Sequence, residues 1–167
     1  MSIIVIALGA LVVGFMLIAF ISKAAPSASA LATASGDNWI ARISPEEFQR
    51  LLVSLFTEMK FDVDSSSLRA GDVDLFAVNP TPITGARIYV RGVFHPPLGL
   101  VGEDEVRIAL ETARAEMAGK AIVVTPGGFT PDAKASARGT PVDLLDGVAL
   151  LALVKKHLPQ IAAERRL

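Results

Sequence analysis

Two carboxylates, Asp72 and Asp74, stand in the stretch Gly71-Asp72-Val73-Asp74-Leu75, and a phenol and a guanidinium follow in Arg87-Ile88-Tyr89-Val90-Arg91. These residue types allow two kinds of chemistry. A carboxylate is a natural ligand for a hard divalent cation, which wants several oxygen donors in near-octahedral order. A guanidinium binds phosphate bidentately, although it cannot shuttle protons as a lysine can. A phenol with a pKa of ~10 is a poor metal ligand at neutral pH. Asp74 is therefore the candidate metal ligand, and Arg91 the candidate phosphate contact. Asp74 also has a plainer reading, as a strand-end carboxylate that caps a turn or pairs with Arg91. Asp72 reads as solvated.

Other chemistry-bearing residues are more scattered. His95 lies in the Pro-rich stretch Phe94-His95-Pro96-Pro97, and His157 near the end of a helical pattern; without ligand spacing both read as surface residues. Pro126-Gly127-Gly128 before a helix start offers backbone amides to an anion, but a single glycine pair is not a P-loop. The chain has no cysteine, which excludes disulfides and thiolate metal sites.

The elements that must position these groups follow from pattern. Ser44-Pro45-Glu46-Glu47 is a capping box with proline at the first helical position, and Phe48, Leu51, Leu52, Leu55, Phe56 and Met59 then recur on one face. The helix should stop near Lys60. Residues 61–64 alternate like a short strand, 65–69 read as a polar turn, and 73–78 and 87–93 read as strands. Residues 103–118 form a second amphipathic helix with Val106, Leu110, Ala113 and Met117 inward, ended by Gly119. Residues 121–125 read as a strand buried on both faces, 142–145 as a last strand, and Asp146 caps a final helix that runs to His157. The first three strands can pair through short turns, whereas the later ones need helical crossovers. The expected fold class is α/β, a mixed central sheet flanked by helices.

This order of elements and its local motifs resemble the catalytic domain of Mrr-like type IV restriction endonucleases, within the PD-(D/E)xK nuclease superfamily. Glu47-Phe48-Gln49-Arg50-Leu51-Leu52 is similar to the family's opening Phe-Glu-x-Leu helix, and Gly71-Asp72-Val73-Asp74-Leu75 to its Gly-Gly-Ile-Asp-Leu strand. Val124-Thr125-Pro126-Gly127-Gly128-Phe129-Thr130 with Ala133 and Ala137 resembles its Thr-x-Gly-x-Phe-Thr-x-x-Ala segment. Leu144-Leu145-Asp146-Gly147 with Leu150 resembles its closing Leu-Ile-Asp-Gly-x-x-Leu. The resemblance places Asp74 at the metal-binding aspartate of a Mg²⁺-dependent DNA endonuclease. The departures fall on the chemistry: Gln49 replaces the helix glutamate, Tyr89-Val90-Arg91 replaces the Gln/Glu-x-Lys strand, and Lys60 replaces the glycine that ends the helix. Asp74, Arg91 and Gln49 are thus the remnant of a catalytic set, and no cofactor is expected unless the site still cleaves DNA.

The first residues set a different constraint. Residues 3–22, which open on Ile3 and close on Ser22, carry no charge and are nearly all apolar. About 20 such residues in a helix match the bilayer core. With only Met1 and Ser2 ahead of the run there is no positive n-region, so an uncleaved anchor over residues 1–23 is expected, with signal cleavage near Ala30 as the alternative. Lys23 on the far side favours a single-pass inner-membrane protein with a cytoplasmic C-terminal domain. Ala10 and Gly14 give the anchor a small-xxx-small pattern that suits a partner helix. Residues 24–43 read as a linker rich in Ala and Ser, 44–158 as the nuclease-like domain, and 159–167 as a tail.

A formal net charge of −1 lacks the basic surplus by which duplex DNA-binders replace counterions. The expected function is a membrane-anchored, catalytically inactive nuclease-like domain, an interaction or scaffold subunit of a membrane assembly. The alternatives are a membrane-tethered endonuclease in which Asp74, Arg91 and a carboxylate such as Glu47 rebuild the ion pocket, and DNA binding without cleavage.

Overall fold

Ser44 opens helix α1 (Pro45–Glu58) through the expected box: its side chain accepts from the Glu47 amide at 3.2 Å, and the Glu47 carboxylate accepts from the Ser44 amide at 3.0 Å. Two of the helix's orphan donors are satisfied in this way. Phe48, Leu51, Leu52, Leu55 and Phe56 are buried along one side. The computed structural model describes residues 39–81, 85–94 and 99–165. The apolar run, with Ala10, Gly14, Lys23 and Ala30, lies outside the described residues, as does His95. Among the described residues no helix is long and apolar enough to cross a membrane.

The strands among the described residues are seven: β1 (Asp62–Arg69), β2 (Asp72–Val78), β3 (Arg87–Gly92), β4 (Leu100–Val101), β5 (Lys120–Val124), β6 (Gly128–Phe129) and β7 (Val142–Leu145). Five of them form one sheet in the order β1-β2-β3-β5-β7. β1, β2 and β3 pair antiparallel, while β5 joins β3 and β7 joins β5 in parallel. The sheet is mixed because of its connections. A tight turn suffices for antiparallel neighbours, and parallel ones need the crossover helices α2 (Glu103–Ala115) and α3 (Pro131–Ala137). Helices α4 (Gly147–His157) and α5 (Pro159–Glu164) close the domain.

Alternate strand residues feed two cores. On one face Val73, Leu75, Ala77, Ile88 and Val90 pack with α1, α4 and α5. On the other, Tyr89, Ala121, Val123 and Val142 pack with Val106, Ala109 and Ala113 of α2 and Ala133 of α3.

Three sequence expectations change. Residues 65–69 are not a turn but the second half of β1, and the reversal is the two-residue turn Ala70-Gly71, with φ of 53° and 92°. β1 is an edge strand paired with β2 alone, so its serines stay polar at little cost and hide the alternation. Helix α2 stops at Ala115 rather than continuing to 118, and Met117 does not face inward: it takes φ 53° and is 88% exposed. The Ala118 amide folds back onto the Ala113 carbonyl at 2.8 Å, a Schellman turn that rotates residue 117 off the buried stripe. Helix α1 ends in the same way at Lys60, with φ 69°. Finally, the packed unit extends at both ends. Ile40, in a helical turn over Trp39–Arg42, is fully buried, and so is nearly all of Ala162 in α5.

Candidate functional site

Register brings the candidate residues together. Asp74 of β2 lies directly opposite Arg91 of β3, and Phe76 opposite Tyr89. Side chains alternate along a strand, so Asp72, Asp74 and Phe76 share the face away from Val73, Leu75 and Ala77. Tyr89 lies diagonally across from Asp74 on that face, within reach of a long side chain.

The Arg91 guanidinium is the hub. Its Nη1 lies 3.2 Å from Asp74 Oδ1, its Nη2 3.4 Å from Asp72 Oδ2, and its Nε 2.5 Å from Glu105 Oε2. The Tyr89 hydroxyl donates to the same Asp74 Oδ1. The Phe94 amide donates to Asp72 Oδ1 at 3.1 Å. The Arg91 side chain is 15% exposed, so these contacts form in a largely dry setting where each is stronger than in water. Tyr89 is pushed up to about 12 by burial and by its bond to the Asp74 carboxylate. For Arg91 burial opposes the charge, but the bond to Glu105 and the surrounding groups outweigh it and raise the pKa above the usual guanidinium value.

A glycine seats this hub. A Cβ on Gly92, next to Arg91, would meet Leu52 Cδ1 at 2.8 Å, Phe48 Cε1 at 3.0 Å and Val73 Cβ at 3.1 Å. Its bare backbone lets α1 lie close against β3. Strand β5, beyond β3, places Ala121 opposite Tyr89 and Val123 opposite Arg91. The polar cluster therefore ends at β3 on that side and is completed from α2.

Asp74 pairs with Arg91, as the plainer reading of that residue has it. Asp72 is not solvated, being held by Arg91 and the Phe94 amide. Gln49 does not join them: its Nε2 donates to Ser66 Oγ at 2.7 Å, and Ser66 lies opposite Leu75, on the other face. Glu47 caps α1 and pairs with Arg165 at 2.8 Å, so it rebuilds no pocket. The amides of Gly127 and Gly128 are taken by Thr125 Oγ1 and the Gly99 carbonyl, which removes the anion reading of that turn. His157 ends α4, with its pKa lowered by burial and by Lys156.

Glu105 is the residue that sequence reasoning missed. Among Glu103, Asp104 and Glu105 it looks like one more acid favouring a helix N-terminus. Its signal was its spacing, four and eight residues ahead of the buried Ala109 and Ala113.

Magnesium is the cofactor that a working site of this type implies, and the residues do not fit it. Among the described residues no group of three Asp, Glu, His or Cys side chains gathers to hold one ion. Asp74 Oδ1 already accepts from Tyr89 and Arg91, and both Asp72 oxygens are engaged. A dication would also face the guanidinium's charge at short range, in a setting that screens poorly.

The comparisons with known proteins agree with the fold. The chain is similar in structure to the DNA modification-dependent restriction endonuclease AspBHI, with a TM-score of 0.50 and 12% identity over 84% of this chain and 42% of that one. A second similar structure is the MspJI restriction endonuclease in complex with a 27-mer oligonucleotide, at TM-score 0.44 and 16% identity over 84% of this chain and 36% of that one. The chain thus spans about two-fifths of the length of AspBHI. A search of the curated proteins returned no significant match. A family model, that of the Mrr catalytic domain described as a restriction endonuclease, matches residues 40–154, which run from the buried Ile40 through the last turns of α4. By that match over most of its length, the chain belongs to the Mrr restriction endonuclease family.

Proposed function

We propose that this chain is a membrane-anchored, non-catalytic nuclease-like domain acting as an interaction or scaffold subunit of a membrane assembly. One observation carries the non-catalytic part: the guanidinium of Arg91 engages Asp72, Asp74 and Glu105 together, so the acids that would draw in a metal already hold a cation that the chain itself supplies. Tyr89 reinforces this, since a neutral phenol bonded to Asp74 gives neither charge nor base at neutral pH. The membrane part rests on the apolar run of residues 3–22, with Lys23 favouring a cytoplasmic domain at the inner membrane. Ala10 and Gly14 are the positions at which a partner helix would approach.

The test is direct. Full-length protein in detergent is incubated with supercoiled and with methylated plasmid in Mg²⁺ or Mn²⁺, and no nicking is expected. Cells are fractionated in parallel, and the protein is expected in the membrane pellet after an alkaline wash. Cleavage that disappears in Asp74→Ala would overturn the non-catalytic reading. A soluble product cut after Ala30 would overturn the anchor.

Membership of a restriction endonuclease family favours a second reading, a tethered Mg²⁺-dependent DNA endonuclease. It requires Arg91 to leave the carboxylates, for instance by turning to a DNA phosphate. The same plasmid assay decides between the two, and a mobility shift without cleavage would mark DNA binding alone.

A further inference from the structure

We infer that β1 is a self-pairing edge: the same strand of a second copy of this chain lies antiparallel to it about Ser66, joining two five-stranded sheets into one. The inference concerns the rim of the sheet rather than the Arg91 cluster, and it holds whether or not the domain cleaves DNA.

Position and length carry it first. β1 runs over Asp62–Arg69, eight residues, the longest strand among those described, and it pairs with β2 alone. Among the described residues its outer side therefore presents a row of unpaired backbone donors and acceptors, a template for another strand. The opposite rim of the sheet, β7, is only four residues long.

Side-chain order then selects the occupant. In the ladder with β2, Asp62, Ser65, Ser67 and Arg69 share one face and Val63, Ser66 and Leu68 the other, with Asp64 the extra residue of a bulge. The Asp64 carboxylate turns to Arg87 at 3.3 Å. A second β1 set antiparallel about Ser66 brings Ser65 opposite Ser67, Val63 opposite Leu68 and Asp62 opposite Arg69, each pair occurring twice. Every pair then matches in face and in chemistry: hydroxyl with hydroxyl, apolar with apolar, carboxylate with guanidinium. Val63 and Leu68 already pack at the margin of the core under α1, and pairing continues that row into the second copy. Asp62 and Arg69 are both exposed at the two ends of the strand. Parallel pairing would instead set Asp62 on Asp62 and Arg69 on Arg69. Charged ends and a bulge guard an edge against indiscriminate pairing, and here they admit one arrangement. The contact is isologous and uses up both β1 edges, so it closes at two copies.

The experiment is site-directed cross-linking. The chain has no cysteine, so a single introduced one reports on its own position. Directly opposed residues of antiparallel strands have Cα atoms ~4.5–5.5 Å apart, within disulfide reach. Full-length Ser66→Cys in detergent, oxidised with copper phenanthroline, should form a disulfide-linked dimer, while the control Ser136→Cys, exposed on α3, should stay monomeric. Because Ser66 Oγ accepts from Gln49, a mixture of Ser65→Cys and Ser67→Cys chains gives a second reading at exposed positions, and it should link unlike chains. Adding Asp62→Arg to Ser66→Cys should slow the cross-link about tenfold, and so should adding Arg69→Glu, since each sets like charges at both ends of the seam. Mixing those two variants should restore the parent rate, because each then meets its complement. A dimer held elsewhere in the chain would leave Ser66→Cys and Ser136→Cys alike, and that overturns the inference. So does undiminished cross-linking in the charge variants, or no recovery in their mixture. A Ser66→Cys adduct in cells to a band other than the dimer would assign the edge to a different chain, and overturns it as well.

Discussion

The two faces of the sheet are built from alternating residues of the same strands, yet they are different materials. Facing α1, strands β2 and β3 present Val73, Leu75, Ala77, Ile88 and Val90, all buried and apolar. Facing α2, the same strands present Asp72, Asp74, Tyr89 and Arg91, joined by Glu105. The first face is held by burial and tolerates any residue of similar volume and apolarity. The second packs apolar residues of β5 and β7 against α2 as well, but on β2 and β3 it adds directional, charge-assisted bonds in which each partner specifies the next. Because the strand period is two, one face can change its chemistry while the other keeps the fold. Here the polar face carries Tyr89 and Arg91 beside Asp74 while the apolar face keeps the sheet.

The comparison can be tested from its strongest side first. Leu75→Ala, on the apolar face of β2, should cost about 2–5 kcal/mol through lost burial and a residual cavity. Urea denaturation reads it, and the loss should be the same at low and high salt. A loss under 1 kcal/mol (a bound set by the smallest cavity effects) would mean that the apolar face is not what holds the sheet.

On the polar face the sharpest probe is Tyr89, the chain's only tyrosine. Its folded pKa is pushed up to about 12, against an ordinary value near 10. A raised acid pKa means the native state keeps its proton while the unfolded chain loses it. Stability is therefore full below pH ~10 and falls as pH rises toward ~12, by about 2–3 kcal/mol at most. Tyrosinate absorbance should titrate late in the native protein and near pH ~10 in urea. Asp74→Asn should bring the native titration earlier, because it removes the carboxylate that the hydroxyl bonds. An unchanged curve in Asp74→Asn would leave burial as the sole cause.

Gly92→Ala tests the junction of the two faces. The added methyl meets the tips of Leu52 and Phe48 on α1 and the branched Cβ of Val73 on β2, so these side chains must give way between helix and sheet. The expected loss is about 1–3 kcal/mol by overpacking. The Tyr89 titration should move with it if α1 and the polar cluster are coupled through β3, and stay fixed if the faces are independent.

The smallest effect should be shared by both faces. Helix α1 on one side and α2 on the other end with a side-chain-bearing residue in the left-handed region, Lys60 and Met117. Lys60→Gly and Met117→Gly should each stabilise by up to about 1 kcal/mol, because a non-glycine residue there costs ~1–2 kcal/mol and glycine is the usual residue at this position. Midpoints from urea titration check both, and a loss in either would show that its side chain contributes more than its backbone strain costs.

Local rules read well from the chain alone. The Ser44 box, the Asp146 cap and the apolar stripe of α1 depend on neighbours a turn away, and a helix start is decided by those neighbours. The mixed sheet was legible too, because connection length limits strand direction. β1 was half hidden, since an edge strand has little burial to mark it and its three serines carry no period.

The site divides along the same line. That Asp74 and Arg91 belong together followed from the sequence, through their places in successive strands and through family resemblance. What the sequence could not settle was which other groups share the guanidinium. Gln49, which the family resemblance grouped with Asp74 and Arg91, bonds Ser66 behind the sheet, whereas Glu105, with no motif at all, joins the cluster. Strand register and the docking of α2 made that choice. Both depend on contacts between residues far apart in the chain, where a slip of one position along a strand sends a carboxylate to the opposite face and one along a helix turns it off the facing stripe.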